Sequence, residues 1–294
     1  MDWTRAIDVY CERVSAAFWA EPFNALTNIA FIVAGLAAIH AQGRKGGAGQ
    51  GRELAAAALM ACAIVALLSQ AITTAWALST SIVAWPLVIG SFSMTGVFLV
   101  VGLIAQPRFW TNPGPNWPLA WLGGNAMVVG VGSFLFHTFA MPWAAAADTG
   151  PILLFILGYF TVTMNRFAGL SWRGAAIATT LFLIGMILLS GVLRQTIGPY
   201  VGGSQSYFPA LFALFGIGLW LERVREHPAG RQLMLAGGVF ALSLTFRTMD
   251  GPLCDLIPIG THFLWHLCNA LVFWILLRAL VAHGRLPDAR LAPA

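Results

Sequence analysis

Two histidines that stand four residues apart are the residues of this chain whose types and spacing most directly suggest chemistry. They are His262 and His266, inside an uncharged apolar run over residues 256–277. Four residues make about one turn of an α-helix, so both imidazoles would lie on one helix face. The run is long enough to cross a bilayer, where ionisable side chains are costly and mark functional sites. Two imidazoles at this spacing suit a zinc ion, although packing histidines or haem ligands would show the same spacing.

A third candidate ligand, His137, lies far upstream in the segment Gly132-Ser-Phe-Leu-Phe-His137. Ser133 stands one helical turn before it, and Asp148 follows eleven residues after it. Three histidines that leave one coordination position open are the ligand set of a hydrolytic zinc ion. These residues support the hypothesis of an intramembrane zinc amidohydrolase.

Ser133 and Asp148 each have a structural interpretation beside the catalytic one. The Ser133 hydroxyl can bond to a carbonyl of its own helix, or it can donate to the oxyanion of a tetrahedral intermediate. Asp148 can cap a helix that starts there, because Asp-Thr-Gly-Pro is a favourable helix start. It can equally accept a proton from a zinc-bound water or orient a ligand imidazole. Spacing alone favours the helix bond for Ser133 and leaves both roles of Asp148 open.

The composition is that of an integral membrane protein. Of 294 residues, 59% are hydrophobic and only 9% are charged, with a mean hydropathy of +0.78, whereas about 25% are charged in soluble domains. The net charge of +5 therefore indicates membrane topology and not nucleic-acid binding. The uncharged runs predict one all-α bundle over residues 1–294, with nine transmembrane helices at about 24–42, 54–76, 83–105, 118–139, 149–165, 174–193, 207–222, 232–248 and 260–282.

The distribution of basic residues predicts how this bundle is oriented. Of the 16 Lys and Arg residues, all but Arg5, Arg13, Arg194 and Arg247 follow the odd-numbered helices. The positive-inside rule then places the segment 1–23 on the non-cytoplasmic side. It places the tail 283–294 in the cytoplasm. We expect a multi-pass protein of a bacterial inner membrane in which the candidate site lies toward the non-cytoplasmic face.

The N-terminal segment contains three acidic residues with two interpretations, namely Asp8, Glu12 and Glu21. They are either solvated surface charges or hard oxygen ligands for calcium. Two cysteines, Cys11 and Cys254, also lie outside the predicted helices.

Taken together, the motifs of this chain resemble the alkaline ceramidase family, which belongs to a wider superfamily of membrane hydrolases that includes the adiponectin receptors. The similarity covers both ends and the middle of the chain. Its motifs are Cys11-Glu12, Glu21-Pro-Phe-Asn24-x-x-Thr27-Asn28, Gly132-Ser-x-x-x-His137 with Asp148, Asp250-x-x-x-Cys254 and His262-x-x-x-His266.

The resemblance implies a zinc-dependent hydrolase that cleaves the amide of an N-acyl sphingoid base such as ceramide. His137, His262 and His266 would bind zinc, Ser133 would stabilise the oxyanion, and Asp148 would accept a proton. The lipid amide would enter from the bilayer, and no nucleic acid would be a partner. The oligomeric state does not follow from the resemblance.

The resemblance also implies a calcium site at the N-terminal acids and a disulfide between Cys11 and Cys254. The chain departs from the family's N-terminal pattern at Asp8, which is shifted by one position, and at Arg13, which follows the motif glutamate. The family has seven helices, so residues 54–105 are predicted to be an inserted transmembrane hairpin. A pair of helices is the insertion that preserves the sidedness of every later helix.

Three other classes of protein remain alternatives. They are a non-catalytic zinc-containing receptor or lipid-binding protein, a haem or redox membrane protein, and a transporter. A fourth protein ligand to the metal would favour the first of these, whereas an open coordination position favours an enzyme.

Overall fold

The computed structural model of the protein describes residues 5–46, 58, 59, 63 and 117–284. Within these residues the chain is helical and contains no β-strand. Short 3-10 helices occupy Gly198–Tyr200, Ser204–Tyr207 and Gly251–Leu253. The α-helices are α1 (Pro22–Thr27), α2 (Ile29–Gly46), α3 (Trp117–Phe139), α4 (Pro142–Arg166), α5 (Trp172–Thr196), α6 (Phe208–Arg223), α7 (Ala229–Met249) and α8 (His262–His283).

Seven helical stretches in this part of the chain are long and apolar enough to cross a membrane. The first, Pro22–Gln42, joins α1 to most of α2, and Ser204–Arg223 adds a 3-10 turn to α6. The other five coincide with α3, α4, α5, α7 and α8. The prediction of an all-helical, multi-pass membrane protein is therefore confirmed. The predicted hairpin at 54–105 lies outside the described residues apart from 58, 59 and 63, so the count of nine stays a prediction.

Helices α3 and α8 lie at the centre of the bundle, and both carry candidate metal ligands. Helix α3 packs against α2 and α4, while α8 packs against α2 and α7. Helix α4 also contacts α8, since the rings of Phe155 on α4 and Phe273 on α8 stack with centroids 3.7 Å apart. The Tyr159 hydroxyl donates to the carbonyl of Leu276 at 3.1 Å. Among the described residues helix α5 is peripheral, because it packs mainly on α4, α6 and the 3-10 turns and exposes most of its side chains.

The predicted start of the helix at residue 149 is wrong, because α4 begins at Pro142. Met141 is extended and precedes the proline at the first helical position, where its missing N–H and fixed φ are favourable. Four alanines then continue the helix to Asp148. Asp148 therefore lies almost two turns inside α4, which excludes its interpretation as a helix cap. A helix start predicted from the first charged residue is wrong here, because Asp148 faces a cavity inside the bundle and does not mark the end of the helix.

Helices α3 and α4 approach most closely at Gly132. A Cβ atom at this position would collide with the carbonyl of Ala147 and crowd the amide of Asp148. Small residues permit such approaches between membrane helices, where backbone contact replaces side-chain contact. Gly132 thus brings the neighbouring Ser133 beside Asp148.

We expect Gly132→Ala to separate α3 from α4, since the added methyl group meets backbone that cannot move aside. Overpacking of this kind costs about 1–3 kcal/mol, so the midpoint of thermal unfolding in detergent should fall. The matched control is Gly185→Ala on α5, where no atom lies within 4 Å of an added Cβ. Equal unfolding midpoints for the two variants would contradict this account of the α3–α4 contact.

Candidate metal centre

Three histidines meet at the end of the bundle where α3 finishes and α8 begins, which we call the histidine end. His137 lies in the last turn of α3, His262 is the first residue of α8, and His266 follows one turn later. One ring nitrogen from each lies within 4.8 Å of the others. All three rings are buried, with exposures of 1–2%. The prediction that these imidazoles share one centre is confirmed, and the cluster can hold a metal ion.

The ring of His137 is oriented by Glu21. Nδ1 lies 2.6 Å from Oε2 of Glu21, and Nε2 is buried without a hydrogen-bond partner. Burial acts to raise the pKa of Glu21, but hydrogen bonds from His137, Asn24 and Arg13 prevail and lower it. The ionised carboxylate accepts the Nδ1 proton, so the Nε2 lone pair is left for a metal. A carboxylate that orients a ligand histidine in this way is common at metal sites.

The ring of His266 is oriented by a hydroxyl. Thr27 Oγ1 lies 3.0 Å from His266 Nδ1 and 2.7 Å from the carbonyl of Phe23. A threonine has one O–H proton, which goes to the carbonyl, so the hydroxyl oxygen must accept from Nδ1–H. The same tautomer results as in His137, with Nε2 free to bind a cation.

His262 is held by its backbone and by ring stacking. Asp250 Oδ1 accepts from the amides of Thr261 and His262 at 2.7 and 2.9 Å, and thereby caps α8 from outside the helix. The ring of Tyr10 stacks on His262 with centroids 3.7 Å apart. Nδ1 of His262 is buried without a hydrogen-bond partner. Orphaned nitrogens on His137 and His262 are what a shared cation would satisfy, so the residues fit a metal.

A partly buried carboxylate, that of Asp148, lies beside this cluster. Ser133 lies next to it, while Oδ1 of Asp148 is buried and has no hydrogen-bond partner among the described residues. Among the described residues the candidate ligand group contains only the three histidines. Asp148 therefore lies beside the candidate metal ligands without belonging to their group.

The three N-terminal acids are not brought together as a ligand set. Asp8 is exposed, and both oxygens of Glu12 accept from backbone amides, those of Phe23 and Asn24, at 2.6 and 2.8 Å. Burial raises the pKa of Glu12, although these two amides oppose the rise. Glu21 is committed to His137 and Arg13. The carboxylates of Glu12 and Glu21 accept hydrogen bonds from donors of the protein itself, and this arrangement does not fit a calcium ion.

A disulfide joins Cys11 to Cys254, across 243 residues of chain. Asp250 reinforces this link, since its Oδ2 accepts from the amide of Cys11 at 3.1 Å. Gly260 passes so close to Asp250 and Cys11 that a side chain would not fit, and it adopts a φ of +67° that favours glycine. The N-terminal segment is thereby tied to the loop that leads into α8.

An apolar cavity begins at the histidine end and runs along α4 into the bundle. Its polar end contains Ser133, Asp148 and His266, and its other walls come from α3 to α8. Asp148 and Thr163 both line it and are 15 residues apart on α4, which corresponds to about 22 Å. Residues that line its apolar part include Val129, Ile152, Phe155, Phe160, Phe182, Ala213, Leu214, Leu233, Phe240, Phe273 and Leu276.

Sequence reasoning gave no role at the metal centre to four residues that contact it or its ligands. They are Tyr10, Arg13, Thr27 and Asp250. All four belong to or border the motifs quoted above, but spacing along the chain does not reveal contacts with residues more than a hundred positions away. The sequence signal that could have revealed one of these contacts is Thr27. It is a polar side chain within the first predicted helix, where its hydroxyl needs a hydrogen-bond partner.

Comparison with known proteins gives no relative: no family model matches the chain, and no curated protein or solved structure is detectably similar to it. The fold and the site by themselves define a multi-pass helical membrane protein with three buried histidines that can hold a metal ion.

Thr27→Val should weaken metal binding, because it removes the acceptor that fixes the His266 tautomer while preserving the shape of the side chain. Loss of such an outer partner typically lowers affinity by about 10- to 100-fold. Competition with a chromogenic chelator measures the zinc affinity. The control is Thr180→Val, an exposed threonine on α5 whose hydroxyl bonds only to its own helix. Unchanged affinity in Thr27→Val would refute the assigned tautomer.

Proposed function

We propose that this protein is a zinc-dependent intramembrane amidohydrolase that cleaves the N-acyl amide of ceramide or a similar lipid. The products would be a free fatty acid and a sphingoid base or amine. The observation that supports this most is the position of the histidine cluster, which lies with the partly buried Asp148 at the polar end of a long apolar cavity. The motif resemblance to alkaline ceramidases points to the same reaction.

The donor set favours zinc as the metal. Imidazole nitrogens suit zinc, and three protein ligands that leave a fourth position open are typical of catalytic zinc sites. His137, His262 and His266 would hold the ion. Zinc bound in this way supplies a Lewis acid that polarises a carbonyl oxygen and lowers the pKa of water toward about 7.

The chain's own residues would handle the protons and the developing charge. The free Oδ1 of Asp148 would accept a proton from the attacking water and return it to the leaving amine. Ser133, which lies beside Asp148 in the resting site, would donate to the oxyanion that forms when the amide carbonyl is attacked. The apolar walls would exclude bulk water, which strengthens both interactions.

The cavity suits the long acyl chain of a lipid amide. An extended chain advances about 1.2 Å per bond, judged from backbone dimensions, so a path of about 22 Å accommodates roughly 18 bonds. The peripheral helix α5 contributes Phe182 to the cavity wall. The bilayer beside α5 would supply the substrate. The positive-inside rule puts the histidine end on the non-cytoplasmic side, where an oxidising compartment would maintain the disulfide.

Purified protein should contain one zinc ion per chain and release fatty acid from ceramide, measured by metal analysis and mass spectrometry.

Asp148→Asn should keep the zinc and lose turnover, whereas His137→Ala should lose both. Ser133→Ala should keep the zinc and lower kcat by about 10²- to 10³-fold. The control is His40→Ala, at an exposed position on α2. Full zinc content without release of fatty acid from any N-acyl lipid would instead indicate a receptor or lipid-binding protein.

Ala213→Phe should shift the acyl preference toward shorter chains, because Ala213 lines the cavity and the added ring would take up part of its space. The ratio of kcat/KM values for short- and long-chain substrates measures the shift. Leu181→Phe, on the exposed face of α5, should leave that ratio unchanged. An unaltered ratio in Ala213→Phe would show that the acyl chain does not occupy this cavity.

A further inference from the structure

Arg13 is a buried cation in the segment that precedes the first membrane span. Its exposure is 7%, which is exceptional for an arginine. All three guanidinium nitrogens donate hydrogen bonds: Nε to Oε1 of Glu21, Nη1 to the carbonyl of Ser15 at 3.1 Å, and Nη2 to the carbonyl of His137 at 3.0 Å. A group anchored in this way is fixed in place and cannot serve as a mobile surface charge.

The carbonyl of His137 needs such a donor. It is one of the last four carbonyls of α3, which have no partner within the helix. A cation at a helix C-terminus is favourable because the backbone dipoles place negative charge there. Arg13 therefore binds the backbone of His137 directly.

Arg13 also binds the partner of the His137 ring. Glu21 accepts from Arg13 through one carboxylate oxygen and from His137 Nδ1 through the other. A buried carboxylate is stable only when it is paired and hydrogen-bonded. The planar guanidinium of arginine is suited to bridge a carboxylate and a carbonyl, because its N–H groups diverge at fixed angles. One side chain thus holds both the backbone and the ring of a metal ligand.

We infer that Arg13 is a built-in cation for Glu21, and that it positions His137 in the place where the ceramidase resemblance implies a calcium ion. Glu12 and Glu21 are already satisfied by amides, by His137 and by Arg13, so no dissociable cation is needed there. Arg13 is a positioning residue that acts through Glu21 and the end of α3. The inference depends on metal binding by the histidines and not on the proposed hydrolysis.

Calcium binding tests the first half of the inference. Wild-type protein in detergent, loaded with zinc and dialysed free of calcium, should bind no radioactive calcium in equilibrium dialysis. Millimolar calcium should not shift its unfolding midpoint. One calcium ion bound per chain, together with a raised midpoint, would overturn the inference.

Zinc affinity tests the second half and requires no substrate. Arg13→Gln should weaken zinc binding by about 10- to 100-fold, and Arg13→Lys, which keeps the charge, should recover part of the loss. Arg5→Gln, at an exposed arginine of the same segment, should match the wild type. Wild-type zinc affinity in Arg13→Gln would overturn the positioning role.

A double-mutant cycle separates this role from a general effect on folding. If Arg13 acts through Glu21, the variant Arg13→Gln/Glu21→Gln should bind zinc little worse than either single variant. Fully additive losses would mean that the two residues act independently, which contradicts the inference. If Arg13→Gln does not fold, Arg13→Lys and the calcium measurement on the wild type still decide it.

Discussion

The metal centre depends on a constraint that belongs to imidazole itself. Each ring has two nitrogens, and only a nitrogen without a proton can bind a cation. In a buried site the other nitrogen carries a proton and needs an acceptor, because a buried donor without a partner destabilises the folded state. Glu21 and Thr27 provide these acceptors for His137 and His266. Both come from the N-terminal part of the chain, so the site is not a property of the central helices alone.

Because of this constraint, the helices and the N-terminal segment have different roles in the site. Helices α3 and α8 set the spacing of the rings, and their close packing leaves little freedom. The segment before α2 then covers the histidine end, with Tyr10 on His262, Glu21 on His137 and Thr27 on His266. Asp250 joins this cover to α8 by accepting from Cys11 and from the first residues of the helix. Rigid helices and a well-bonded cover together preorganise the three rings.

Regular features of the chain were predictable from its sequence, because each depends on local composition. Apolar length predicted the seven described spans, and the four-residue spacing of His262 and His266 predicted their common face. The start of α4 was not predictable from charge, since Asp148 faces a cavity and Pro142 was the true signal. The roles of Tyr10 and Arg13 depend on contacts between distant parts of the chain. No periodicity encodes such contacts.

The disulfide has a consequence for how the protein is made. Cys254 is synthesised 243 residues after Cys11, and the two histidines of α8 follow it. Domains of a nascent polypeptide fold in order of synthesis, but this site has to wait for α8. Until α8 is made, Cys11 has no disulfide partner and His137 has no neighbouring imidazole from that helix. Thiol oxidation and completion of the histidine cluster therefore follow the synthesis and insertion of α8.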